Sequence, residues 1–465
     1  MILMTWLSAK LKKSASIVLA TTLIAGLAAG CSNSDNGKGG SATPSAETSP
    51  SASPSPSSAG SSGDKITIRF AYNWTGADPK ASYFEGKLKE YEAKHPEISF
   101  KFEATPGEEH RTKIKVDTTA GNLPDIFTYW LGPVNLKPLV DANEILEMDE
   151  YLSKSGTVKK EQYTDIAWSF FDIGGKKYGL PLEAFKGFFM ANRELFQKYN
   201  LEYPKTYAEL TNVAKVFNDN GIVPFSMGSK NGQPSHLFFS YLAYQFQNGF
   251  DDAQKIPQTY QYDTDAVRKA AQAVAQMKAD GIFPSDTVAN GDWGPQLSLY
   301  NEEKAAMVYE FPWMIGNVKQ EIVDKTDLID FPALEGSVVD PSSYTIGAVA
   351  MGLLINRKSF EDPAKQQALV DFADFINSDE VLGEVAKGGL FPAKQMELDP
   401  STLSPLYAKA MEFTKNQNVW PHHESYVPDS NAYSVILSSL DELFAGFVSP
   451  EDYVSKTQKA LDKAK

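Results

Sequence analysis

Ile66, Ile68, Phe70 and Tyr72 recur at every second position, the period of a strand with one buried face. Phe84, Leu88 and Tyr91 then recur at helical spacing, and Asp78-Pro79 ahead of them reads as an N-cap followed by proline at the first helical position. A second alternation, Ile98, Phe100 and Phe102, precedes a helical stretch from about Lys113 to Ala120 that stops at Gly121, and Ile126-Phe127 opens a further apolar run. Strand, helix, strand, helix, strand is the rhythm of an α/β sheet. Later, Thr206-Tyr207-Ala208-Glu209 forms a capping box ahead of Leu210, Val213, Ala214 and Phe217. Asp362-Pro363 starts another predicted helix carrying Leu369, Phe372, Ala373 and Ile376.

The pattern breaks at the amino terminus. Lys10, Lys12 and Lys13 precede an uncharged run, Ser14 to Gly30, that is broken by Ser, Thr and Gly and closes on small residues before Cys31, the only cysteine in the chain. A spanning helix needs about 20 apolar residues, so residues 1–30 read as an export signal cleaved before Cys31. Leu27-Ala28-Ala29-Gly30-Cys31 resembles the lipobox of bacterial lipoproteins, with Ala28 where leucine is usual. That likeness implies lipidation of Cys31 and a diacylglyceryl anchor to the membrane. Residues 32–63 are dominated by Ser, Pro, Gly, Ala and Thr and carry no aromatic or large aliphatic residue. Such a segment buries too little to fold and reads as a spacer. With one cysteine, the chain can form neither an internal disulfide nor a cysteine-based metal site.

A net charge of −15 disfavours nucleic acid as a partner. The chain also lacks a phosphate-cradling glycine loop, a Gly-x-Ser-x-Gly elbow and a His-Glu-x-x-His motif. Of five histidines, the adjacent His422 and His423 cannot point the same way in a regular element, and His236 beside Phe238 and Phe239 reads as a buried hydrogen-bonding residue. No cofactor and no metal centre are expected.

Tryptophans, in contrast, sit in short polar or Gly/Pro-flanked segments: Trp74, Trp130, Trp293, Trp313 and Trp420. Loops after strands are where open α/β sheets hold ligands. A pyranose offers C–H faces that suit an indole and a rim of hydroxyls that needs donors and acceptors, so Trp with Asp, Glu or Asn is a sugar-binding palette.

Four segments carry a family resemblance. They are Gly121-Asn122-Leu123-Pro124-Asp125-Ile126; the series from Tyr178-Gly179-Leu180-Pro181-Leu182-Glu183 through Met190-Ala191-Asn192-Arg193-Glu194-Leu195-Phe196 to Pro204–Leu210; Glu303-Lys304-Ala305-Ala306-Met307 with Phe311-Pro312-Trp313; and Gly388-Gly389-Leu390-Phe391-Pro392. In order and spacing they resemble the family 1 extracellular solute-binding proteins, the maltose-binding-like group. Ala191, Tyr207, Glu303 and Pro312 depart from the usual residues.

The resemblance implies an α/β, two-lobed periplasmic-binding-protein-like fold with discontinuous lobes and a hinge. Residues 64–167 and 346–396 would form the first lobe, and 168–345 and 397–465 the second, with the first crossing near Tyr163 to Trp168. It implies a non-enzymatic, monomeric binding protein on the outer face of the cell membrane that closes on a sugar or oligosaccharide and hands it to ABC permease subunits. Mapped onto this sequence, the expected ligand-binding residues are Trp74, Asp125, Glu183, Trp293, Glu310, Trp313 and Tyr344. Two alternatives stand beside this reading: presentation of a ligand to a sensor kinase, and glycoside hydrolysis by paired carboxylates in the same cleft.

Overall fold

A computed structural model describes residues 65–465. The expected export signal, Cys31 and the spacer up to residue 63 lie outside the described residues. The period-two segments become strands: β1 (Ile66–Tyr72) pairs in parallel with β2 (Ile98–Ala104) along its whole length, from Ile66↔Ile98 to Tyr72↔Ala104, and with β3 (Ile126–Trp130) through Phe70↔Ile126. Helix α1 (Ala81–Lys94) buries Phe84, Leu88 and Tyr91 on one face. It begins at Ala81, not at Pro79, because the Lys80 N–H donates to Asp78 Oδ1 at 2.9 Å and closes a turn ahead of the helix. Helix α2 (Gly107–Thr119) ends before Gly121, whose φ of +63° lies in the left-handed region.

The first sheet continues through β4 (Leu180–Lys186), and the chain then enters a second sheet with β5 (Phe188–Asn192) after a single residue, Gly187. Helix α3 (Asp165–Ser169) precedes this passage. In the second sheet, α4 (Tyr207–Asp219) starts on the predicted capping box of Thr206 and Glu209, and β6 (Val223–Ser226) follows it. After helices over Ser235–Ala243, Gly249–Thr259 and Asp265–Ala279 come α5 (Trp293–Asn301), β7 (Ala305–Glu310), α6 (Pro312–Ile315) and β8 (Thr326–Ile329). The long β9 (Tyr344–Ile355) returns to the first sheet, followed by α7 (Gln366–Ile376), α8 (Asp379–Ala386) and β10 (Phe391–Pro392). Helix α7 starts beyond Pro363, since Asp362 closes the preceding short helix Arg357–Glu361 instead of opening a new one. Helix α9 (Pro405–Phe413) and β11 (Asn418–Trp420) follow, and two long helices end the chain.

The first sheet runs β10-β4-β9-β3-β1-β2, with β11 pairing β9, and the second β8-β5-β7-β6. Each has its own core. Phe70, Phe84, Phe100 and Phe372 interlock in the first. Phe189, Phe225, Phe238, Tyr309 and Phe331 fill one face of the second sheet, while Met190, Val308, Tyr300 and Tyr407 cover the other. Tyr163 and Trp168 pack in the first core with Tyr178, Leu180 and Leu182. The Tyr163 hydroxyl meets Asn377 Oδ1 at 3.1 Å and Trp168 Nε1 donates to the Lys160 carbonyl at 3.1 Å. Along β4 the chain passes from the first core at Leu182 to the second at Phe185, and it enters the second sheet after Gly187. Strand β9 carries Tyr344 and Ile346 in the second core and Val349 and Leu353 in the first.

Glycine is required at the crossing. A Cβ on Gly187 would lie 2.2 Å from the Tyr309 hydroxyl, and one on Gly347, the residue of β9 opposite Lys186, would lie 2.5 Å from the Phe185 carbonyl. Gly187→Ala is expected to lower the unfolding free energy by about 1–3 kcal/mol in urea titration. Gly86→Ala, in open space on α1, should instead stabilise by up to about 1 kcal/mol.

Candidate functional site

Trp74 follows the carboxyl end of β1, where a parallel sheet opens to ligands. Its indole packs edge-on against Phe84, with centroids 5.0 Å apart, and is 1% exposed. Trp74 Nε1 donates to Glu183 Oε2 at 3.1 Å. Glu183, on β4, is buried and faces a second partner that the sequence reading did not single out. The Lys80 ammonium lies 3.2 Å from Glu183 Oε1, 3.3 Å from Asp78 and 5.9 Å from the Trp74 ring centroid. Burial works against the Lys80 charge, but the facing carboxylates of Glu183 and Asp78 outweigh it and raise its pKa. The one advance signal for Lys80 was its place directly after the Asp-Pro turn.

Alternation along β4 puts Phe185 on the same face as Glu183, and there it meets the second aromatic group. Phe311 and Trp313 stack in parallel at 5.1 Å, Trp293 stands perpendicular to Trp313 at 5.2 Å, and Phe185 closes the set at 5.5 Å from Trp313. Both indoles remain half-buried. Pro312 at the first position of α6 fixes the turn that presents Trp313. The two groups touch through glycines. A Cβ on Gly316, after α6, would sit 2.5 Å from Pro79 Cβ, and one on Gly389, beyond α8, would sit 2.6 Å from the Pro312 carbonyl. The turn that holds Lys80 in one lobe thus rests against the helix that presents Trp313 in the other.

Glu310 ends β7 beneath α5. It is 1% exposed, its Oε1 accepts from Gln296 Nε2 at 3.2 Å, and its Oε2 has no partner. Burial without a facing cation pushes its carboxyl up to about 8. Asp125 and Tyr344 do not join either group. The Asp125 carboxylate accepts from the Arg69 N–H, the Ser359 hydroxyl and Lys365 Nζ, anchoring the start of β3, about five strand residues back from the end of the sheet that carries Trp74. Tyr344 is buried between Tyr241 and Trp420, and its hydroxyl donates to the Tyr241 carbonyl. Trp130 is half-buried, with the Arg111 guanidinium 4.5 Å from its ring centroid. His236 Nδ1 donates to the Gly232 carbonyl, 2.8 Å away, while His422 turns to Glu424 and His423 stacks on Tyr244. No cluster among the described residues has the makings of a metal site.

Two measurements probe these buried charges. Lys80→Met leaves Glu183 unpaired and should cost about 3–5 kcal/mol of stability at neutral pH. Burial already holds the Glu183 carboxyl above its ordinary value of 4.5 against the pull of Lys80; removing that cation should raise it further, so the loss should shrink as pH falls toward 4.5. For Glu310 the pKa raised to about 8 contributes stability that is complete below the unfolded value of 4.5 and is lost as pH rises through 8. Between those limits the slope from this group approaches about 1.4 kcal/mol per pH unit, and Glu310→Gln should remove it from denaturation curves taken across pH 5 to 8.

Residues 77–389 match the bacterial extracellular solute-binding protein family. Among curated relatives, the maltotriose-binding protein of Pyrococcus abyssi is 24% identical over 257 residues, 54% of this chain and 51% of its own. The galactooligosaccharide-binding protein of Bacillus subtilis is 23% identical over 408 residues, 83% of this chain and 88% of its own. The first relatives are matched over only 39 to 56% of their own length. A solved chitin oligosaccharide binding protein superposes with a TM-score of 0.76 at 20% identity, covering 85% of this chain and 98% of that one. That likeness establishes the fold, the two-lobed α/β arrangement expected from the sequence. No helix among the described residues is long and apolar enough to cross a membrane. With a match spanning most of both lobes, the chain belongs to the bacterial extracellular solute-binding protein family.

Proposed function

We propose that this protein captures a sugar or short oligosaccharide between its lobes and delivers it, unreacted, to the permease subunits of an ABC importer. The observation that carries the reading is the half-buried aromatic wall of Trp293 and Trp313, braced by Phe311 and Phe185, at the junction of two separately cored lobes. Indole faces suit the C–H faces of a pyranose. Relatives that bind maltotriose and galactooligosaccharides support the same ligand class. Glu183 supplies acceptor oxygens beside the wall once the lobes rotate, and Trp74 supplies a donor; Glu310 supports α5 from below. Glu183 is tied to Lys80 and Trp74, and Glu310 is buried beneath Gln296, an arrangement that braces the walls of the site instead of presenting two free carboxylates to a glycosidic bond.

The protein acts as a monomer outside the cell. The diacylglyceryl group on Cys31 and the Ser/Pro/Gly spacer hold it to the membrane near the permease. The first lobe comprises the segments around β1–β4, the end of β9 and α7–α8, and the hinge comprises Gly187, the middle of β9 and β10.

A thermal-shift screen of the mature protein against mono- and oligosaccharides tests this reading. A true ligand at about 100 times its dissociation constant adds around 2.7 kcal/mol of stability, compacts the protein in solution scattering and is recovered intact by chromatography. Trp313→Ala should weaken that ligand about tenfold. Failure of every saccharide to stabilise the fold, or release of a cleaved product, would overturn the proposal.

A further inference from the structure

Behind the crossing strands, on the face away from Trp313, lies a second concavity. Ala184 and Lys186 of β4 alternate with Glu183 and Phe185 and so point to the opposite side of the sheet, where they pair with Val349 and Gly347 of β9. Ile166 of helix α3 and Phe170 just after it supply one wall, and Met411 of α9 supplies the other. The groove encloses about 340 Å³, within the size range of small-molecule sites. Its lining is mainly apolar, and Ile166 and Met411 leave 51% and 41% of their surface open to solvent.

One charge stands in it. The half-buried Lys186 ammonium donates to the Thr414 carbonyl at 3.0 Å, and no carboxylate lines the groove or pairs with it among the described residues. Burial lowers its pKa, the sign of a cation held without a counter-charge. We propose that this groove is a second binding site, separate from the sugar cleft, for a small monocarboxylate with an apolar body, its carboxylate on Lys186 and its tail between Ile166, Phe170 and Met411. The single cation selects a monoanion, since a dianion would leave one charge uncompensated in an apolar setting. The dry walls select a hydrocarbon tail over a polar one.

Sodium octanoate and 1-octanol, titrated calorimetrically into the mature protein without sugar, test the proposal. Saturable octanoate binding, at least about tenfold tighter than 1-octanol, is expected, because a charge-assisted hydrogen bond is worth that much. Lys186→Met should abolish this preference while keeping 1-octanol affinity. Ile166→Asp, at an exposed wall position whose change the fold tolerates, should weaken octanoate by a similar factor through like charge. Unchanged melting temperatures confirm that both variants are folded. Absence of saturable octanoate binding at millimolar concentration, or octanoate binding untouched by Lys186→Met, overturns the proposal. Because no sugar is present, either result leaves the sugar reading to its own test.

Discussion

Tyr309 stands where Gly187 has no side chain, and that fit lets one strand leave the first sheet and the next enter the second with a single residue between them. Gly347 repeats the device on the returning strand, passing against the Phe185 carbonyl. The backbone at the passage is tied by hydrogen bonds, from the Gly187 N–H to the Ile346 carbonyl and from the Thr345 hydroxyl to the Gly187 carbonyl. Large side chains would wedge these strands apart and separate the two cores they join. Under the proposed closure, rotation of the lobes would concentrate in these few residues, between packed cores that are themselves stiff.

Two faces of the same crossing strand have different chemistry. Glu183 and Phe185 point toward the junction that carries Trp74, Lys80, Trp293 and Trp313, whereas Ala184 and Lys186 point to the groove behind it. On the front face the buried cation is paired, Lys80 lying between buried Glu183 and part-exposed Asp78. On the back face the cation has only a carbonyl for company. Isolating a charge from water costs several kcal/mol unless it is paired, so the front pair stabilises a defined geometry, while the back ammonium is a site still open to an anion.

Much of the fold was legible in local pattern. The alternation of Ile66, Ile68, Phe70 and Tyr72 gave β1, the Thr206–Glu209 box gave the start of α4, and the order of the Pro-Asp, Gly-Leu-Pro and Gly-Gly segments pointed to the two-lobed family. Other readings failed where a local signal had two outcomes. Asp78-Pro79 closes a turn before a helix as well as it opens one, and Asp362 ends one helix instead of starting the next. Tyr163 and Trp168 carry no sequence mark of which core they enter, and the structure buries both in the first.

The sequence by itself determined the alternation of strands and helices, the acidic balance, the lone cysteine and the stock of tryptophans, because these depend on the order and type of neighbouring residues. Only the tertiary structure decided that Lys80 would meet Glu183 across 103 positions of chain, that Trp293 and Trp313 would share one wall, and that Asp125 and Tyr344 would be spent on internal hydrogen bonds. The reason is physical: a polar or aromatic side chain has the same local preferences in a ligand site as in a core. Which of the two it serves is set by partners brought to it from distant segments when the sheets and their cores assemble.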